Sequence, residues 1–444
     1  MVLKPTPWVA RFEALLSASF VRKACLTMPE VLQLDASVSA SAAEISAGRT
    51  LAALYYPSQQ DLGILRRLIE HALAYCEQAY ESETLYRSRI HASIHLRNNS
   101  FSNPICLTGL AGVGKSQLLK AFCRLFSATR IQDAEGLIEA PMEGPISVTL
   151  QKNLRLKSYL NDYINRNKRD AGQCQLQDAI YRFPHLAYTN GAPYILIDET
   201  QFQVGGNSMI TIKNTLLQFM EFGIPLLFVA NFSLIKLLNR SPEQVRQRLL
   251  TRPIELKRDA AASDDWKGYL RCCDVSLGNT IAPGTLSEHD LIYQYTGGIK
   301  RFAVDLLKIS YRKAYGRKKP CPVTLDHIRE AFLSADYAVA RRQIEAINAY
   351  VVSQDERSEY HNPLKQSWTL EDGGINEAQQ AARDEVARRA SVALKPPTRD
   401  HSSPRRAKAP PKAAPGPRRS NIDTEDLKSN ALRFGKGLYG RSRT

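Results

Sequence analysis

The sequence predicts an α/β protein: a P-loop αβα sandwich on a parallel sheet, followed by a helical lid and a disordered basic C-terminal tail. Three observations predict it. A complete G-x-x-x-x-G-K-S stretch at 109–116 lies between a short apolar run and a helical pattern. Further apolar runs of strand length alternate with helical patterns as far as residue 256, as expected for a parallel sheet covered on both faces. Beyond about residue 260 the strand-like runs stop and helical periodicity takes over.

Residues 1–50 form an N-terminal extension of mixed character, including the small-residue stretch Ser37 to Ala47, to which composition assigns no job. Leu62, Leu65, Leu68, Ile69, Ala72, Leu73 and Cys76 recur at helical spacing and predict an amphipathic helix over 61–81. After Ser102-Asn103-Pro104, Ile105 to Leu107 reads as a strand and Lys115 to Phe126 as a helix. Further strands are expected at Ile146–Leu150, Tyr194–Ile197, Leu226–Ala230 and Ile254–Leu256, completing a core over 51–260. A lid over 261–350 carries helical patterns at Phe302–Tyr315 and Asp326–Tyr337. Residues 351–394 read as a polar linker with a helix from Glu377 to Leu394. In the basic tail, 395–444, the first half is Pro, Ala and cations, which cannot bury enough apolar surface to fold. Asn421 to Thr444 regains Ile422, Leu427, Leu432, Phe434, Leu438 and Tyr439, the pattern of a docking peptide on a tether.

Composition narrows the function classes. A chain of 444 residues suits two or three domains, and 43% apolar content supports a large core. The net charge is +16, and the last 50 residues hold 13 Lys or Arg against 4 Asp or Glu. More than half of the excess therefore sits in the tail, as an arm for an acidic partner such as nucleic acid. Eight cysteines without a C-x-x-C pair read as reduced thiols of a cytosolic protein. Arg11 and Glu13 interrupt the only mildly apolar N-terminal stretch, so no signal peptide is expected, and no run approaches the roughly 18 apolar residues of a membrane span.

The stretch at 109–116 predicts a nucleotide site that takes ATP with Mg2+. Gly109, Gly112, Val113, Gly114, Lys115, Ser116 and Gln117 form a cradle whose backbone N–H groups and helix N-terminus attract phosphate. Lys115 is expected on the β- and γ-phosphates and the Ser116 hydroxyl on magnesium. Tyr194-Ile-Leu-Ile-Asp198-Glu199 is an apolar strand ending in two carboxylates. Asp198 would bind magnesium through its waters, and Glu199 would orient the attacking water. Asn231 follows a buried strand and would hold that water as a sensor. Of Arg246, Arg248 and Arg252, Arg248 is the first candidate for an arginine finger on a neighbour's nucleotide, with Arg252 second. Arg301, in Gly297-Gly298-Ile299-Lys300-Arg301, would reach the γ-phosphate from the lid, with Lys300 as its rival.

This order of motifs resembles the AAA+ ATPases. IDETQ, PLLFVAN and VRQRLL most resemble the TnsC/TniB group of DNA-transposition ATPases, with MuB more distant, over about residues 51–345. The resemblance implies an ATP-dependent ring or helical filament on duplex DNA, in the bacterial cytoplasm and on its nucleoid. Such an assembly takes a signal from a target-site recognition protein, recruits transposase and is dismantled by ATP hydrolysis. It places DNA contacts just after the second strand, here Lys152, Arg155 and Lys157, followed by Arg166, Lys168 and Arg169. Cations without interleaved aromatic groups favour phosphate contact over base reading. The terminal segment would dock transposase, and residues 1–50 are available for the target selector. The long spacing from loop to acidic strand implies an insertion near 165–190. A helicase or replication-initiator loader is the alternative, but such proteins more often end in a winged-helix or helix-turn-helix domain, and the region after 350 is too polar and Pro-rich for one. A small-molecule kinase has no use for a basic tail, and Glu199 argues against a non-hydrolysing scaffold.

Overall fold

Residues 5–34, 38–91, 103–132, 139–151, 155–167, 173–198, 208–316 and 321–364 are described by the structure, a computed structural model. The chain divides after Ser391, and the unit from Val392 to Thr444, like the expected helix at 377–394, lies outside the described residues.

The chain begins with α1 (Pro7–Ala10), α2 (Ala18–Cys25) and α3 (Ala40–Ala53), followed by α4 (Gln59–Ala79) and α5 (Glu83–His91). The amphipathic pattern at 61–81 is met by α4, which buries Leu65, Leu68, Ile69, Ala72 and Cys76. Its start is fixed by a capping box: Asp61 N donates to Ser58 Oγ at 3.1 Å and Ser58 N donates to Asp61 Oδ2 at 3.0 Å. The N-terminal segment is part of the folded body. Trp8 stacks on Tyr80 at 5.1 Å, Tyr80 stacks on Tyr188 at 4.9 Å, and Arg11 donates to the carbonyls of Glu143 and Gly191.

The core comprises β1 (Ile105–Thr108), α6 (Lys115–Arg124), β2 (Thr129–Gln132), β3 (Glu139–Met142), β4 (Ile146–Thr149), α7 (Leu156–Asn167), α8 (Leu176–Thr189), β5 (Ile195–Asp198), α9 (Ser208–Met220), β6 (Leu226–Ala230), α10 (Phe232–Asn239), α11 (Glu243–Leu249) and β7 (Arg252–Glu255). Five strands form one parallel sheet in the order β4-β5-β6-β1-β7. The inner strands β1 and β6 and the apolar part of β5 are buried throughout, because helices cover both faces. β7 is an edge strand and so tolerates Pro253, which lacks the N–H of a ladder. Two features differ from expectation. An antiparallel hairpin, β2 with β3, precedes β4. The length between β4 and β5 is taken up by a packed pair of helices, α7 and α8, rather than by one.

The lid comprises α12 (Asp264–Ser276), α13 (Pro283–Ser287), α14 (His289–Thr296), α15 (Lys300–Tyr315), α16 (Leu325–Leu333) and α17 (Ala338–Ser353). The single helix expected over 326–337 breaks at Ser334, which is extended (ψ 157°) and leads into a 3-10 turn at Ala335–Tyr337. The small residues of α3 find their use here. Ala43 and Ala47 are fully buried, and a Cβ on Gly48 would lie 3.4 Å from Lys308 Cδ, so α3 approaches α15 closely. Among the described residues no helix is long and apolar enough to cross a membrane.

Candidate nucleotide-binding site

The carboxyl ends of the inner strands lie side by side. Thr108 of β1 is in register with Ala230 of β6, and Ile197 of β5 with Phe228. Gly109, Asp198 and Asn231 are thereby brought to one edge of the sheet, where open α/β sheets bind ligands. Beyond Thr108 the chain turns through glycines. Gly109 has φ +146°, and a Cβ there would lie 2.3 Å from the Leu256 carbonyl oxygen, because the loop crosses the end of β7. Gly112 has φ +85°, and its Cβ would lie 2.9 Å from Arg301 Cβ and 3.1 Å from Ile299 Cγ2. Gly114 is the N-cap of α6 and supplies no side chain there, so the first N–H groups of the helix face the loop. Val113 is buried under the turn.

Lys115 is 9% exposed, and its ammonium donates to the carbonyls of Gly109 and Leu110, both at 2.8 Å. The cation thus lies within the turn. Ser116 is half-buried beside it, and the Gln117 amide donates to the Ala52 carbonyl at 3.3 Å, turned toward the end of α3. Asp198 is the last residue of β5 and half-buried. Glu199 lies outside the described residues. Asn231 caps α10, its Oδ1 accepting from Leu234 N at 2.9 Å and from Ser233 Oγ at 2.8 Å. The cap fixes the amide by its oxygen, which makes the NH2 the end that can donate to a ligand. These groups fit a triphosphate with magnesium: N–H donors and a lysine for the phosphates, a hydroxyl and a carboxylate for an ion that keeps its waters. Among the described residues no cluster of three or more His, Cys, Asp or Glu could hold a metal alone.

The two lid cations separate. Arg301 N donates to the Gly112 carbonyl at 3.3 Å, and the Arg301 side chain begins over the loop. Lys300 turns away, to Asp61 at 3.5 Å and Asp259 at 3.7 Å. Sequence reasoning missed this acidic pair. Ser58-x-x-Asp61 is a readable cap pattern, but nothing around Asp259 signals its place.

The three arginines lie toward the opposite end of the sheet. Arg252 is the first residue of β7 rather than just before it, and pairs with Ile105, while Glu255 is level with Thr108. Three residues of strand put Arg252 about 10 Å below the loop edge. Arg246 and Arg248 are exposed on α11, which leads into that end, and Arg248 is 4.0 Å from Glu221. Arg252 is within 3.4 Å of His71 Nε2, and His71 Nδ1 is 2.9 Å from the Tyr194 hydroxyl. Burial, then the Arg252 charge, lowers the His71 pKa to about 4. The folded imidazole is therefore neutral while the unfolded one protonates below about 6.5. Stability conferred by His71 is present above that pH and is lost as pH falls from about 6.5 to about 4, by up to about 3 kcal/mol. Thermal melts across this window should show the loss, and His71→Gln should flatten it; an unchanged slope in the variant would contradict the assignment.

Of the residues expected to meet DNA, Arg155 is exposed just before α7 and Lys157 is half-buried, donating to Gln175 Oε1 at 3.4 Å. Arg166 is exposed on α7, while Lys152, Lys168 and Arg169 lie outside the described residues.

No protein-family model and no curated protein matches the chain. Solved structures are similar at low scores. The Aeropyrum pernix ORC1 protein, solved in complex with DNA, is 16% identical with TM-score 0.38, over 76% of this chain and 79% of its own. The A. pernix ORC2 protein, solved in ADPNP–ADP complexes, is 16% identical with TM-score 0.39, over 62% and 72%. C. elegans PCH-2 is 13% identical with TM-score 0.35, over 65% and 71%. Strand order and the helices that follow the sheet define the fold as an αβα sandwich on a five-stranded parallel sheet with a helical lid.

Proposed function

We propose that this protein is an ATP-hydrolysing AAA+ switch of the TnsC/TniB kind, which assembles on duplex DNA, links target-site selection to transposase recruitment and disassembles on hydrolysis. The observation that carries the ATPase reading is the loop at 109–116, with the Lys115 ammonium inside it and the start of α15 hydrogen-bonded to its Gly112 carbonyl. Loop N–H groups and Lys115 bind the phosphates. Magnesium, held by Ser116 and Asp198, neutralises phosphate charge when bound. Glu199 and the Asn231 amide position and polarise the attacking water. Arg301 reports on the γ-phosphate from the lid. Arg248 or Arg252, toward the other end of the sheet from its own loop, would act on a neighbouring copy's nucleotide, and hydrolysis would then depend on assembly. The transposition reading rests on the stretches IDETQ, PLLFVAN and VRQRLL and on the basic tail.

Binding to fluorescent duplex DNA tests this. Affinity should be higher with a slowly hydrolysed ATP analogue than with ADP, indifferent to duplex sequence, and steeply reduced by salt as Arg155, Lys157 and their neighbours release counterions. A transposase whose gene flanks this one should be retained by the full chain and lost on deleting 395–444; no retention of such a transposase contradicts the transposition reading. DNA affinity independent of nucleotide contradicts the switch; retention by the truncated chain contradicts the docking role of the tail.

A further inference from the structure

Helix α15 starts in an unusual way. Its N-cap is Ile299, which has no side chain to offer, and one of its first-turn N–H groups, that of Arg301, is taken by the Gly112 carbonyl of the phosphate loop. Its first residue is a lysine, which places a cation against the positive end of the helix. Such a position needs compensation, and two carboxylates supply it. Asp61 comes from the capped start of α4, and Asp259 from the connection between β7 and the lid. The side chains are 18%, 3% and 9% exposed for Lys300, Asp61 and Asp259. The ammonium also lies 5.8 Å from the centre of the Tyr269 ring of α12. Burial opposes the Lys300 charge, but Asp61 and Asp259 more than offset it and the pKa is raised. Burial pushes the Asp259 carboxyl up despite Lys300.

Independently of Lys300, Asp61 is anchored at its carboxylate and Asp259 at its main chain. Asp61 Oδ2 holds the Ser58 N–H, and the Asp259 carbonyl accepts from the Tyr293 hydroxyl at 2.9 Å. Next to Asp61, Gln60 donates to the Glu255 carbonyl at 3.0 Å and accepts from Lys257 N at 3.2 Å. The ion cluster thus connects the start of α4, the segment after β7 and the first turn of α15, and Gln60 adds a hydrogen bond to the end of β7.

We propose that Lys300 is a positioning residue: through Asp61 and Asp259 it bolts the first turn of the lid helix to the core and so holds Arg301 over the phosphate loop. The inference rests on the reading of Arg301 as the residue that meets the γ-phosphate, and it gives Lys300 a role through Arg301 rather than on the substrate. Losing the bolt lets the arginine drift while the loop and its lysine stay in place. Hydrolysis should then suffer more than nucleotide binding.

A double-mutant cycle on ATP hydrolysis by the full chain, at saturating duplex DNA, tests it. Lys300→Met should lower kcat roughly tenfold to a hundredfold, the scale of a misplaced catalytic group, with a smaller change in ADP affinity. Asp61→Asn keeps the cap acceptor for Ser58, removes only the charge, and should follow the same pattern if Lys300→Met proves poorly folded. Lys300→Arg should retain most of kcat. In an Arg301→Ala background, Lys300→Met and Asp61→Asn should add nothing. Multiplicative effects, or parallel losses of kcat, ADP affinity and melting temperature, overturn the positioning role while leaving Arg301 intact. A silent Arg301→Ala in an active enzyme overturns the parent reading and this one together, and is seen in the single variant.

Discussion

Lys115→Ala is expected to weaken ATP binding at least about a hundredfold, about 3 kcal/mol, as removal of one partner from a desolvated charge pair does. The reason is the position of the ammonium inside the loop, 2.8 Å from two of its carbonyls, where the β- and γ-phosphates would lie. Because nucleotide is the proposed link between copies, the variant should also lose DNA-dependent assembly. A fluorescent-nucleotide titration measures the first effect and sedimentation velocity with duplex DNA the second. Circular dichroism separates both from unfolding, since alanine also leaves the Gly109 and Leu110 carbonyls without this donor. Wild-type nucleotide affinity in a folded Lys115→Ala protein would remove the loop from the site.

The second large effect is expected at Glu199. In sequence it follows Asp198, which ends β5 at the edge where the 109–116 loop begins. Glu199→Gln preserves size and hydrogen bonding and removes only the basic carboxylate. Hydrolysis should slow by about a hundredfold or more, the range of a lost general base. Nucleotide binding should persist, so complexes with duplex DNA should form normally and fail to come apart. Normal turnover in this variant would exclude Glu199 as the residue that handles water. Persistent complexes from Glu199→Gln, beside absent complexes from Lys115→Ala, would separate binding from hydrolysis as the two halves of the switch.

The parts legible in the sequence are those set by local pattern. Ile105–Thr108, Ile195–Asp198 and Leu226–Ala230 read as buried strands because both faces are covered, and Gly109 to Ser116 carries its geometry in its glycines. α4 was readable from its apolar period. Features that depend on residues distant in sequence were not. The β2–β3 hairpin and the α7–α8 pair are short elements whose packing is settled by the rest of the body. The alanines of α3 have no meaning until α15 lies against them. Lys300 and Arg301 are neighbours with interchangeable charge, and only the carboxylates of Asp61 and Asp259 distinguish them. Nothing around Arg252 in the sequence signals His71, 181 residues earlier, as its neighbour.

The central claim is that the turn at 109–116 binds a nucleoside triphosphate. Equilibrium titration of the full chain with a fluorescent ATP analogue tests it most directly. Saturable binding of one nucleotide per chain is expected, strengthened by magnesium and displaced by unlabelled ATP and ADP. Absence of saturable binding, or binding that ATP does not displace, would contradict it.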